Sequence, residues 1–464
     1  MILKRLIEYW EREGDSLPSG YQPAFLTKRI SLDKDGKLIE VIALTGEKRG
    51  TREGKTYVVP REQPRRSSGV RPRLIHDNAQ YVLGLEGDKD NPKRVAQSHH
   101  EYVALVKECA EKTKEPTVQV LANWLVNGGP EKLTKSHEID PSMDDFFLEV
   151  NGINPADLPS VRAFWSAPAE GERGLCSITG IETVIVDRMP IPIKGIPGGQ
   201  PSGTARVSVN NPSGESFGLK AALNSPIGQV PAEAIGNALN RLLSDSSHHL
   251  RVGETVFLAW TKKPTEFSFF DLVKQPSAEQ AKNLIAAVSE SLSRQAGLEG
   301  GAAWRKPEAM QAVSDDDFYV LALSANMSRA VVRDYHETTL PNAKRALALW
   351  YLKLGIQGMD GQDITPPGIF QLAVSLYREA KDIPKHVPVS LLRTALTGVT
   401  LPSLLLALAV RRNVVMRGPY DEMNKKRRLS YPRIALIKAV LTPNPKEDNQ
   451  LSALNEKHPD AAYH

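Results

Sequence analysis

The side chains of this chain best equipped to hold a metal or move a proton are adjacent histidines and carboxylates. His76-Asp77 has the form of a metal-nuclease dipeptide, and Asp315-Asp316-Asp317 leads into an apolar stretch, as carboxylates holding Mg²⁺ would. Such a site needs further ligands. The other histidine pairs, His99-His100 and His248-His249, show no supporting spacing, and the aspartates lack a second carboxylate strand. They read as a solvated turn. Glu138, Asp140, Asp144 and Asp145 gather around Pro141 and suit a loop. Cys109 and Cys176 form no CxxC, which leaves neither a zinc framework nor a disulfide scaffold; Cys176 reads as a small buried hydrophobe. Glycines 195, 198, 199 and 203 lack the lysine and following helix of a phosphate-binding loop. No catalytic residue, metal or cofactor is expected.

Charge is more informative. The chain has 464 residues and a net charge of +5. Residues 41–73 carry nine cations (Lys48, Arg49, Arg52, Lys55, Arg61, Arg65, Arg66, Arg71, Arg73) and a net +6. Residues 411–438 carry nine more (Arg411, Arg412, Arg417, Lys425, Lys426, Arg427, Arg428, Arg433, Lys438) and a net +7, which leaves −8 for the rest. Cationic runs on an otherwise acidic chain are the footprint of a phosphate-backbone partner, or else solvated loops or a seat for an acidic protein. The longest apolar run, Leu404 to Val410, is seven residues, far below the ~20 of a spanning helix, and the chain reads as cytosolic.

The elements that must place these residues are mixed. Residues 1–13 read as an amphipathic helix, 28–44 as a hairpin turning at Asp35-Gly36, and Thr56 to Val59 as a strand running into a loop at 61–73. Helices are expected near Tyr102–Ala110 and Thr117–Val126, and strands near Phe146–Val150, Thr183–Val186 and Ala205–Val209. A Pro/Gly-rich loop covers 191–203. Beyond Gly253 come a strand at Thr255–Trp260 and a helix opened by a Ser277/Gln280 capping box and stopped at Gly297. The strands Phe318–Leu323 and Arg329–Tyr335 follow, joined by a turn at Ser324-Ala325-Asn326. This order is compatible with a ferredoxin-like unit. After Pro341 the pattern is helical: Ala343 to Leu354, a face of Ile369, Leu372, Ala373, Leu376, Tyr377 and Ala380, then Ser390–Leu396, Leu401–Arg412 and Pro432–Leu441. The expected fold is α+β, with a β-rich domain at 1–340 that carries inserted helices, then an all-α bundle at 341–464 that reads as truncated.

Several fragments recur in a family-specific order: MILKRLIEYWER at the start, PRRSSGVRPRLIHDNAQYVLGL (64–85), CSITG (176–180), KGIPGGQPSGTARVSVNNPSGESFG (194–218), NSPIG (224–228), GETVFLAW (253–260), FYVLALSANMSRAVVRDYHE (318–337) and LLRTALTG (391–398). Together they resemble the large subunit of the type I-C (Dvulg) CRISPR Cascade surveillance complex. The resemblance implies a non-catalytic subunit with crRNA, double-stranded target DNA, the displaced strand and other Cascade subunits (crRNA-capping, backbone and small) as partners. It also implies PAM recognition, help in opening the duplex, and a docking surface for the helicase–nuclease.

On that reading Arg65, Arg66, Arg71 and Arg73 grip the PAM duplex, since guanidinium forks suit phosphates and guanine edges. Asn78 and Gln80 either reach base edges or serve as helix cap and solvent face. Gln200 or Asn210 is either the wedge at the opening base pair or part of a plain surface connection. Arg411, Arg412, Lys425, Lys426, Arg427 and Arg428 line the displaced strand's path. Two rivals stand beside this: a metal-dependent nuclease using His76-Asp77 or Asp315–Asp317, and a scaffold whose cations meet only acidic proteins.

Overall fold

The computed structural model describes residues 2–13, 17–62, 70–88, 90–166, 172–186, 188–200, 203–204, 221–265, 267–274, 276–287, 317–326, 329–358, 361–415, 420–421, 426–427 and 430–441. The fold is α+β, as expected. The chain forms two compact units, one of Met1–Glu13, Ile191–Gly214 and Ala234–His464, the other of Gly14–Pro190 and Glu215–Glu233.

Helix α1 (Ile2–Glu13) opens the chain and turns Leu6 and Tyr9 inward, while Arg5 and Glu8 pair one turn apart at 2.9 Å. The 14–190 unit then builds its strands β1 (Tyr21–Leu26), β2 (Lys28–Leu32), β3 (Leu38–Ala43), β4 (Glu47–Arg49) and β5 (Arg52–Pro60). The β2–β3 hairpin forms where Asp35-Gly36 predicted it. Asp33 accepts from the backbone N–H of Asp35 and Lys37, and Gly36 takes a φ of 80° that suits glycine. The strand expected at Thr56–Val59 is longer. It runs back to Arg52 and pairs along its length with β1, from Tyr21 opposite Pro60 to Leu26 opposite Lys55. Helices α2 (Ala79–Leu83), α3 (Pro92–Thr113), α4 (Pro116–Val126) and α5 (Gly129–Ser136) lead to β6 (Phe146–Val150), which joins β2 in parallel, Ile30 opposite Leu148. Then come α6 (Pro159–Ser166) and the short hairpin of β7 (Arg173–Leu175) and β8 (Glu182–Val184). The core is Tyr21, Ile30, Leu148, Tyr102, Val106, Leu121 and Trp165, each buried aliphatic or aromatic side chain worth roughly 1.5–3 kcal/mol.

After α7 (Gln229–Ser244), the other unit forms one antiparallel sheet of β9 (His249–Val252), β10 (Thr255–Thr261), β11 (Asp317–Asn326) and β12 (Arg329–Thr339), neighbours in chain order. A ferredoxin-like sheet would instead set β10 beside β12. Here Phe257 pairs with Ala322 and Leu258 with Leu321, so β10 lies against β11 and that expectation fails. The turn expected at Ser324–Asn326 is strand: Ala325 pairs with Ala330 and Asn326 with Arg329. Between β10 and β11 lie α8 (Phe269–Lys274) and α9 (278–287). The α9 capping box is present, with Ser277 N–H donating to Gln280 Oε1 at 2.8 Å and Gln280 N–H to Ser277 Oγ at 3.0 Å. The rest of that helix and the strand expected at Ala205–Val209 lie outside the described residues.

Helices α10 (Leu340–Leu354), α11 (Ile369–Ser375), α12 (His386–Thr397), α13 (Ser403–Val415) and α14 (Tyr431–Leu441) follow, with the two-residue strands β13 (Tyr420–Asp421) and β14 (Lys426–Arg427) paired between the last two. Helix α11 stops at Ser375, short of the Tyr377 and Ala380 expected on its face. Phe257, Ala259, Phe318, Val320 and Ala322 of the sheet share one core with Leu347, Trp350, Leu372, Leu391 and Leu436 of these helices. The boundary expected at residue 340 falls inside that core, because one face of the sheet is apolar and the helices cover it.

Candidate nucleic-acid interface

The first basic run is less free than its count suggests. Arg61, 8% exposed, donates to Glu233 Oε1 at 2.6 Å and to the Pro190 carbonyl at 3.0 Å. Arg52 pairs with Asp145. Arg49 lies over the Phe25 ring at 4.8 Å and donates to Thr56 Oγ1. Arg73 donates through Nε and Nη2 to Glu62 Oε1 at 3.1 and 2.9 Å. Arg71 is half-buried, its backbone N–H donating to the Tyr81 hydroxyl at 3.2 Å. Arg65 and Arg66 lie outside the described residues.

His76 and Asp77 point into the protein. Leu148 N–H donates to His76 Nδ1 at 3.0 Å, so the proton sits on Nε2, which donates to Asn154 Oδ1 at 2.8 Å. The ring stacks on Phe147, with centroids 4.9 Å apart. Burial pushes the imidazole down to about 4. Asp77 accepts from the N–H groups of Arg73 and Asn78 at 2.7 and 2.9 Å; burial pushes its carboxyl up to about 7, the Arg73 charge opposing. Both ring nitrogens and both carboxyl oxygens are therefore bonded within the fold. Among the described residues no group of three or more His, Cys, Asp or Glu is placed to hold a metal. Asp317 receives the Tyr319 hydroxyl and lies 3.7 Å from Lys262, while Asp315 and Asp316 lie outside the described residues.

Asn78 caps α2, its Oδ1 accepting from Tyr81 N–H at 3.2 Å. Gln80 Nε2 donates to Asp90 Oδ2 at 2.6 Å. Of the two roles open to this pair in the sequence, the capping geometry is present at Asn78.

Gln200 stands exposed on the glycine-rich loop. The loop's neck is closed by reciprocal backbone bonds between Ile193 and Thr204 at 2.8 and 2.7 Å, and Asn240 ties it to α7 through Lys194 N–H and the Pro192 carbonyl. Gly203 has a φ of 106°, and a Cβ there would sit 2.7 Å from Pro192 Cβ, so glycine is required. The fold also brings Arg251 of β9 to this loop, its guanidinium 3.5 Å from where a Gly195 Cβ would sit, next to exposed Lys194. Neither cation belongs to a basic run, and a lone arginine in a strand carries no local signal. Asn210 lies outside the described residues.

The second run is likewise divided. Arg411 is exposed on α13. Arg412 donates to the Tyr377 carbonyl at 2.8 Å. Arg433 is buried and donates to the carbonyls of Ser375 and Arg412 at 2.9 and 3.0 Å, tying helix C-termini whose dipoles favour a cation. Burial, with Arg412 nearby, lowers its pKa. Lys438 donates to the Gly355 carbonyl. Lys426 and Arg427 form strand β14; Lys425 and Arg428 lie outside the described residues. Among the described residues no helix is long and apolar enough to cross a membrane.

Among the described residues, fold and surface describe an α+β protein with exposed cations at the glycine-rich loop and on helix α13. A family model for CRISPR-associated protein (Cas_Csd1) matches residues 3–464, and the chain belongs to that family. No curated protein matches it. The CRISPR-associated class read from the ordered fragments is thus correct.

Proposed function

We propose that the chain is the non-catalytic large subunit of a type I-C Cascade complex. It recognises the PAM in duplex DNA, helps open the duplex, holds the displaced strand and helps recruit the helicase–nuclease. Its partners are crRNA, target DNA and the crRNA-capping, backbone and small subunits. The match to the Cas_Csd1 family over 3–464 carries this reading. It is supported by the exposed Gln200 on a braced glycine loop beside Lys194 and Arg251, which suits close approach to DNA, and by Arg411 on an exposed helix face. His76 and Asp77, bonded within the protein, lend the nuclease reading no support.

The test is duplex binding by the reconstituted, crRNA-loaded complex. Charge reversal at Arg65, Arg66 and Arg71 weakens PAM-bearing duplex and lowers the salt slope by about one unit per lost phosphate contact. Unchanged affinity and slope remove these residues from the interface. Mg²⁺-dependent cleavage by the purified chain, lost in Asp316→Ala, would revive the nuclease.

A further inference from the structure

Strand β5 has a notch where it runs beside β1. A Cβ at Gly54 would overlap the Leu26 carbonyl and sit 2.8 Å from Phe25 Cζ, so the Phe25 ring lies across the glycine. In the β4–β5 ladder Arg49 stands opposite Arg52, and both guanidiniums lie over that one ring, 4.8 and 5.6 Å from its centroid. Like charges placed opposite one another in a ladder repel, so the pair needs counterweights. Arg52 has Asp145. Arg49 has a relay. Its Nη2 donates to Thr56 Oγ1 at 3.1 Å, and that hydroxyl donates to Glu47 Oε2 at 2.6 Å. Thr56 N–H donates to Glu47 Oε1 at 2.9 Å.

The two arginines end in different positions. Arg52 keeps 28% of its side chain exposed and is paired with a carboxylate. Arg49 keeps 58% exposed, with Glu47 Oε2 3.9 Å away. It is thus fixed by a ring beneath it and a hydroxyl at one edge, while its outer side meets water. Pro23 and Val58, partners in the β1–β5 ladder two positions from Phe25 and Thr56, share that face, Pro23 exposed and Val58 42% exposed. Lys48 and Lys55 stand exposed at neighbouring positions. A planar cation backed by a ring, next to apolar side chains and further cations, matches a flat base joined to phosphates. An acidic peptide would use the charge but not the plane.

We propose that Arg49, seated on Phe25, is a stacking platform for an unpaired base of a single DNA strand, with Pro23 and Val58 continuing the surface. In naming DNA as the strand this inference rests on the function proposed above; the platform itself rests on the hairpin.

The test is binding of the free full-length chain to a fluorescent strand of about ten thymidines, read as affinity against salt. Arg49→Lys keeps the charge and loses the plane, so affinity falls about fivefold or more while the salt slope stays at the wild-type value. A strand of abasic sites of the same length shows no such difference between the two proteins, since it has no base to stack. Wild-type affinity in Arg49→Lys, or an equal loss on the abasic strand, overturns the platform. So does the absence of any binding to thymidines by the wild type. A uridine strand held more tightly, with the same dependence on Arg49, overturns the assignment to DNA. Absence of duplex affinity in the wild-type, crRNA-loaded complex overturns the proposed function, while the thymidine result still decides the platform.

Discussion

Arg61 and Glu233, 172 positions apart, form an ion pair of 2.6 Å in which both residues are less than 9% exposed. Glu233 also accepts from Gly20 N–H and Ser19 Oγ at 3.0 Å, so its carboxylate organises the start of β1 and the end of β5 together. Breaking such a pair from one side strands a buried charge. Arg61→Met or Glu233→Met costs about 3–5 kcal/mol in chemical unfolding, and the double Met variant is less destabilised than the two single losses summed, though Gly20 N–H and Ser19 Oγ still lose their acceptor. A single-variant cost below about 1 kcal/mol would show the pair to be solvated.

His76 and Asp77 act on stability in opposite directions with pH. His76 titrates near 4 in the fold against an ordinary 6.5, so its contribution is full above pH 6.5 and is lost as pH falls towards 4. Asp77 titrates near 7 against 3.8, so the native state holds the proton more tightly, and stability is lost as pH rises from about 4 to 7. The two slopes offset one another between pH 4 and 6.5. Asp77→Asn exposes stability that rises with pH across that window, and His76→Gln exposes a fall. Urea midpoints against pH check both, and parallel profiles for the three proteins would refute the pairing.

Asn78 can be tested as cap and as reader at once. Asn78→Ala loses the bond from Tyr81 N–H and costs about 1 kcal/mol in thermal unfolding, whereas Asn78→Ser keeps a capping oxygen and most of that stability. If the amide also reads a base, the stable Ser variant loses about 1–3 kcal/mol of PAM discrimination. Full discrimination in Asn78→Ser leaves capping as the role.

Arg411 and Arg433 belong to the same basic run and should part company. Arg433→Met leaves the Ser375 and Arg412 carbonyls without their donor and costs about 2–3 kcal/mol of stability. Arg411→Ala on the exposed face of α13 stays within about 0.5 kcal/mol, and lowers the salt slope for displaced single strand by about 0.7 unit. Unfolding curves and single-strand retention report on the two separately.

Local chemistry alone predicted the hairpin at Asp35-Gly36, the Ser277/Gln280 capping box and the helices after Pro341, because turn residues, caps and 3.6-residue periodicity act within a few positions. The chain-order sheet of β9 to β12 and the long β1–β5 ladder were not legible, because strand pairing depends on partners tens of residues away. The same holds for the candidate site. Gln200 could be picked out from its glycines, while Arg251 reaches that loop only through folding.

The amino-acid order by itself determined that this is an α+β chain of the CRISPR-associated class with its positive charge concentrated in two stretches. Which of those charges face outward was decided only by the tertiary structure. A cation's free energy depends on the carboxylate or carbonyl the fold sets beside it, and Glu233, Glu62, Asp145, Ser375 and Gly355 all come from outside the basic runs or across a loop.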